Sequence, residues 1–330
     1  MDAWLTRRAP DGRCEALAWR SGKAARLFWE KAINAADWPL DTPSVTSHIL
    51  LACGHECDSP GNPDGLVDAW FLGGLNEPEA PLLHRGELSA LAAELGLRRS
   101  KPIMWSSDEV TTVGEWVDQM ATEFAVPPKQ PWDGREVEKG PVYGWELQAI
   151  CTFYDPDDVL PNGLRVSEAA LAVAQAGPNL ATEAGAHDLE GLALCLAEQR
   201  AQPHTGDPDA WAQIQAVLDE HLQSDLESMT SSGQIYDGLD GFSTCGAGDP
   251  LCEPMEELVR QAHFIEWSTL IQPTCTPSYA RALQRFAELN EELSEGPDIW
   301  AEGRTQAMLL LAATHSMHGV RRLAWLYDER

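Results

Sequence analysis

The chain has 330 residues, 44% of them apolar, enough for two ordinary domains whose cores need no covalent staples. It holds no run of about 18 uncharged apolar residues, which excludes a membrane-spanning helix. Its 52 acidic against 23 basic residues give a net charge of −29, which excludes naked nucleic acid as a partner of most of the surface.

In chain order, the first segment differs from the rest. Residues 1–33 hold seven Arg/Lys against four Asp/Glu, leaving −32 on residues 34–330. The N-terminus, Met-Asp-Ala-Trp-Leu-Thr-Arg-Arg, lacks the apolar core of a signal peptide, so the expectation is a cytoplasmic protein with its eight cysteines mostly reduced. Up to about residue 160, apolar runs of strand length alternate with amphipathic segments and Gly/Pro turns, the pattern of βαβ units. The predicted strands are Glu15–Arg20, His48–Cys53, Pro102–Trp105 and Trp145–Tyr154. Between them, helices are predicted over Lys23–Ala36, packing Leu27, Phe28 and Ile33, and over Glu87–Leu97. Ile49-Leu50-Leu51-Ala52-Cys53 and Gln148-Ala149-Ile150-Cys151 are apolar without alternation, as parallel strands covered on both faces are.

From about residue 164 the pattern is helical. Ser167 caps a helix ended by Gly177-Pro178, and Asp188–Arg200 forms the next. Asp207-Pro208 opens a third, with Trp211, Ile214, Leu218, Leu222 and Met229 on one face. Ser231–Pro250, rich in Gly, Ser and Asp, reads as a loop. Glu253-Pro254 and Thr276-Pro277 open two more helices, closed by Pro273 and Gly296-Pro297, and the last runs from Ile299 to Tyr327. Met255, Leu258, Val259, Ala262 and Ile265 form an apolar core stripe. The expected architecture is thus an α/β N-terminal domain with a small, mostly parallel sheet (residues 1–160), followed by an α-helical domain (161–330).

The chemistry-bearing residues cluster at two strand ends. Leu50-Leu51-Ala52-Cys53-Gly54-His55-Glu56-Cys57-Asp58 ends a predicted strand on a histidine, and Lys101-Pro102-Ile103-Met104-Trp105-Ser106-Ser107-Asp108-Glu109 ends the next on a polar cluster. This order, strand–His–acidic loop–helix–strand, resembles the caspase-like peptidases, and among them the CHAT family, over residues 20–115. The resemblance implies His55 as general base, with the nucleophile position at Ser107 or Asp108. The family has His-Gly and a nucleophilic Cys where this chain has His55-Glu56 and Asp108. The implied role is a degenerate, regulatory or pseudo-peptidase member acting through protein–protein interaction, its status as an enzyme left open by the missing thiol. The contrasting reading is a non-enzymatic acidic adaptor, inhibitor or target of a larger complex, with a basic protein as partner.

Potential metal ligands fall at three places. Cys53, His55 and Cys57 alternate, so a strand would turn them to one side, with His48 upstream and Cys245 and Cys252 as a loose second half. His263-Phe-Ile-Glu266 and His315-Ser-Met-His318 each place two ligands on one helix face, without matching the Glu-x-x-His order of carboxylate-bridged bundle sites. With no paired four-ligand spacing and no Gly-x-x-x-x-Gly-Lys-Ser/Thr, Gly-x-Gly-x-x-Gly or Gly-x-Ser-x-Gly motif, the sequence predicts neither metal nor cofactor.

Overall fold

A computed structural model describes residues 12–35, 43–53, 86–106, 109–125, 143–178, 183–202, 206–235, 252–271, 273–295 and 303–328. Over these the chain is mostly helical: α1 (Arg13–Ala35), α2 (Pro43–Cys53), α3 (Glu87–Glu94), a hairpin of β1 (Pro102–Ser106) and β2 (Glu109–Thr112), α4 (Val113–Glu123), α5 (Tyr143–Phe153), α6 (Val166–Ala176), α7 (Glu183–Ala201), α8 (Pro208–Ser228), α9 (Cys252–Leu270), α10 (Pro277–Glu295) and α11 (Gly303–Asp328). Two compact units result, one comprising residues 1–39 and 221–330, the other residues 40–220.

The expected α/β domain with a mostly parallel sheet is corrected by this architecture. Three of the four predicted strands are helix: Glu15–Arg20 lies in α1, His48–Cys53 in α2, and Trp145–Tyr154 falls largely in α5. Only Pro102–Trp105 is strand, and it pairs antiparallel with β2, Ile103 opposite Thr111 and Met104 opposite Val110. The reason is burial. An unbroken apolar run is as consistent with an enclosed helix as with an enclosed strand, and α5 is enclosed from Gly144 through Cys151 without an exposed position. In α1 the buried residues Cys14, Ala18, Ser21, Ala25, Phe28 and Ala32 recur at three- and four-residue intervals, a helical face. Leu27, expected to pack, lies off that face and is 46% exposed.

The discontinuous unit is a bundle of α1, α9, α10 and α11, in which α1 packs on α10 and α11, and α9 packs on both of these as well. Helices α1 and α10 run parallel: a disulfide joins Cys14 to Cys275, the Ser21 hydroxyl donates to the Leu283 carbonyl, and farther along Lys31 donates to the Ser294 carbonyl. A short turn returns α9 into antiparallel α10, clasped by Arg285, whose Nε donates to Glu257 Oε1 at 2.6 Å, and by Gln261, whose amide donates to the Ala282 carbonyl.

In the other unit α5 is the central helix, with α3, α4, α6 and above all α7 packed on it. Two glycines permit the α5–α7 approach. A Cβ on Gly144 would fall 1.9 Å from the His187 carbonyl oxygen, and one on Gly191 2.5 Å from that of Gly144. A second disulfide, Cys151–Cys195, ties the same two helices farther along. Helix α4 starts on a capping box, the Thr112 hydroxyl accepting from the Glu115 N–H while Glu115 accepts from the Thr112 N–H. The expectation of mostly reduced cysteines is thereby corrected for Cys14, Cys151, Cys195 and Cys275, whose partners are 261 and 44 residues apart in sequence. No helix among the described residues is long and apolar enough to cross a membrane.

Candidate metal centre

The most concentrated chemistry in the bundle lies between α9 and α11. The second half of α9, residues 261–271, and residues 312–320 of α11 have no exposed position. Apolar side chains fill most of this interior, the stripe Met255, Leu258, Val259, Ala262 and Ile265 among them. Into it the two helices also turn four ionisable groups, since residues three apart share a helix face: His263 and Glu266 from α9, His315 and His318 from α11. None is more than 4% exposed.

The four converge on one carboxylate. His263 Nδ1 lies 2.9 Å from Glu266 Oε2, while His315 Nδ1 and His318 Nδ1 lie 3.3 and 3.2 Å from Glu266 Oε1. The rings of His263 and His315 meet at a centroid separation of 4.2 Å. Residue Ser316, between the two α11 histidines, donates its hydroxyl to Asn290 Oδ1 at 2.6 Å, and Asn290 donates to the Phe286 carbonyl. This pair ties α11 to α10 and fixes the rotation that aims His315 and His318 inward. Gly319 follows, its open side facing Ala262 and Ile265 of α9. Burial by itself would push the Glu266 carboxyl up; the three imidazoles outweigh it and hold the group well below the usual carboxylate range.

Of these, His263, Glu266 and His315 bring one ligand atom each within 4.8 Å of one another, two imidazoles and a carboxylate that form a donor set for a first-row divalent cation. The spacing fits. Metal–nitrogen and metal–oxygen bonds of about 2.0–2.2 Å place adjacent ligand atoms ~2.9 Å apart in an octahedron and ~3.4 Å apart in a tetrahedron, and the separations of His263 and His315 from the Glu266 carboxylate are 2.9 and 3.3 Å.

Each of these pairs shows ligand spacing in the sequence, and the fold brings them together at Glu266. The other candidates fare differently. His55, Ser107 and Asp108, the catalytic set implied by the caspase-like resemblance, lie outside the described residues, as do Cys57 and Cys245. The alternation of Cys53, His55 and Cys57 presupposed a strand, whereas α2 continues through Cys53. The unit 40–220 also encloses ionisable groups. His48 Nδ1 lies 3.4 Å from Glu87 Oε1, His187 Nδ1 lies 3.7 Å from Glu190 Oε2, and Asp188 accepts from the Gly144 N–H at 2.7 Å. His187-x-x-Glu190 repeats the spacing of His263-x-x-Glu266 and was visible in the sequence. No family model, no curated protein and no solved structure matches the chain.

Proposed function

We propose that this is a metal-binding helical protein, its centre formed by His263, Glu266 and His315, with His318 against the same carboxylate, and its cation a first-row divalent ion such as zinc, manganese or iron(II). The observation that carries the reading is that the buried His263, Glu266 and His315 bring one ligand atom each within 4.8 Å of one another. When bound, the ion supplies Lewis acidity and a fixed positive charge; the residues supply its geometry, and Ser316 with Asn290 supplies the aim of the α11 ligands. The test is equilibrium dialysis of the full chain, stripped with chelator, against zinc(II), manganese(II) and iron(II), followed by elemental analysis. The double variant His315→Ala/His318→Ala is expected to bind one equivalent fewer than the unaltered chain. Equal binding by both would overturn the reading.

We also infer that the chain matures in an oxidising compartment. Disulfides between residues distant in sequence are rare in a reducing cytosol, and each compact unit carries one. Alkylation of the native protein without prior reduction is expected to leave Cys14, Cys151, Cys195 and Cys275 unlabelled; labelling of these four would place the protein in the reduced state. The acidity of residues 34–330 supports a basic protein as partner, with an association rate that falls as salt rises; a salt-independent rate would remove that support.

A further inference from the structure

The two disulfides sit in opposite surroundings. Cys151 lies in the last turn of α5 and Cys195 in the second half of α7, 4% and 1% exposed. Cys14 and Cys275 stand instead at helix starts. Cys14 is the second residue of α1, whose opening turn is closed by the Ala16 N–H donating to the Gly12 carbonyl. Cys275 directly precedes Thr276, whose hydroxyl caps α10 by accepting from the Tyr279 N–H at 3.1 Å. Cys14 is enclosed, whereas Cys275 is exposed. Because α1 and α10 run parallel, this bond joins two helix N-termini side by side.

That placement decides how each bond meets a reductant. Exchange requires an incoming thiolate to reach one sulfur, and the exposed Cys275 offers an approach that the enclosed Cys151–Cys195 pair lacks. It also runs faster when the departing sulfur is stable as a thiolate. The positive end of α1 stabilises a thiolate at Cys14, where the neighbouring Arg13 and Glu15 offset each other in charge. Cys151 lies at the negative end of α5, which disfavours one.

We propose that Cys14–Cys275 is a thiol–disulfide exchange site, opened by an external dithiol, and that its opening releases α1 from the bundle. A thiolate of the dithiol attacks the Cys275 sulfur; a mixed disulfide forms there as the Cys14–Cys275 bond breaks, and its electron pair leaves on the Cys14 sulfur. The second thiolate of the dithiol then attacks its own partner sulfur and expels Cys275 as a thiolate. The dithiol is oxidised by two electrons to a disulfide, and the protons it gives up are available through solvent to the two cysteines. The bond spans 261 residues and joins the two stretches of chain that build this unit. What else holds α1 is modest. Among the described residues it buries one large side chain, Phe28, beside Ala18, Ala24, Ala25 and Ala32, and its Arg20–Glu291 ion pair is about two-fifths exposed, where such pairs contribute little. An element so held opens locally while the rest of the bundle stays folded. The inference rests on the oxidised state of Cys14 and Cys275 and is independent of the metal centre.

The experiment titrates the full-length chain with dithiothreitol, blocks exposed thiols with N-ethylmaleimide in the native state and maps the labelled cysteines by peptide mass spectrometry, with amide hydrogen exchange on the same samples. Cys14 and Cys275 are expected to label together at a dithiothreitol concentration at least about 10-fold below that which labels Cys151 and Cys195. Once they do, the amides of α1 are expected to exchange at least about 10-fold faster, with α5 and α7 unchanged. Cys14→Ser/Cys275→Ser is expected to show the faster α1 exchange without reductant and no further response to it. Both bonds opening at one concentration, Cys151–Cys195 opening first, or α1 exchange unaltered by selective reduction would overturn the inference and leave the oxidised state standing. Labelling of Cys14 and Cys275 before any reductant is added would overturn both.

Discussion

Glu266→Gln separates metal ligation from hydrogen bonding more sharply than any other single change in the bundle. The substitution keeps the side-chain volume but replaces one carboxylate oxygen by NH2, and the carboxylate is the group that all three imidazoles face. At a metal concentration 100 times the dissociation constant, binding to the folded state alone stabilises it by about 2.7 kcal/mol. For a unit of this size, that corresponds to a rise in melting temperature of roughly 5–10 °C. Loss of one direct ligand should weaken affinity at least about as much as loss of an outer-shell partner, about 100-fold. The same metal concentration then equals the new dissociation constant, and the stabilisation falls to ~0.4 kcal/mol, about 1 °C. The assay is a thermal melt of both proteins, each with chelator and with zinc(II). An equal zinc-induced rise in the two proteins, or none in the unaltered chain, would show that Glu266 is not a ligand.

Three further outcomes are expected from the geometry. Replacing both cysteines of the Cys151–Cys195 bond by serine should cost roughly 2–4 kcal/mol in denaturant unfolding, since the bond closes a loop with a sequence separation of 44; an unchanged midpoint would mean that the bond does not form in the native protein. Asp188 is pushed up to about 7, chiefly by burial, against the opposing Gly144 N–H. Because its folded value lies above its ordinary 3.8, the stability it contributes is full at low pH and is lost as pH rises through 7; allowing for its partly exposed edge, unfolding free energy should drop by on the order of 1–2 kcal/mol between pH 5 and 8. Asp188→Asn should flatten that slope, and an unaltered slope would remove Asp188 as its source. Gly144→Ala should destabilise the unit 40–220 by more than about 3 kcal/mol, because its Cβ would overlap backbone rather than a movable side chain; a variant that melts with the unaltered chain would refute the close α5–α7 crossing.

The helical half of the chain was legible because its punctuation is chemical. Pro208, Pro254 and Pro277 stand in the first turns of α8, α9 and α10, where proline costs nothing, and the Met255–Ile265 stripe repeats at helical spacing. The same signal was present before α2, which begins at Pro43 after Asp41-Thr42, a cap followed by proline at the first helical position. The apolar run His48–Cys53 outweighed it. In α2 and α5 the period that distinguishes strand from helix is erased, because an element enclosed on every side has no polar face to mark its repeat. The centre was legible as two halves. His263/Glu266 and His315/His318 each showed ligand spacing, but α10 stands between them in sequence, and only the packing of α9 on α11 shows that both pairs meet at Glu266. His187/Glu190 went unread because its helix is buried on nearly all sides and carries little periodic signal.

The most direct test of the metal centre is anomalous diffraction from crystals grown with zinc(II), recorded on both sides of the metal absorption edge. The account requires an anomalous peak between α9 and α11, with a ring nitrogen of His263 and of His315 and a carboxylate oxygen of Glu266 about 2.0–2.2 Å from it. Crystals in which those three side chains surround no anomalous peak, while Glu266 simply accepts hydrogen bonds from the rings, would contradict it.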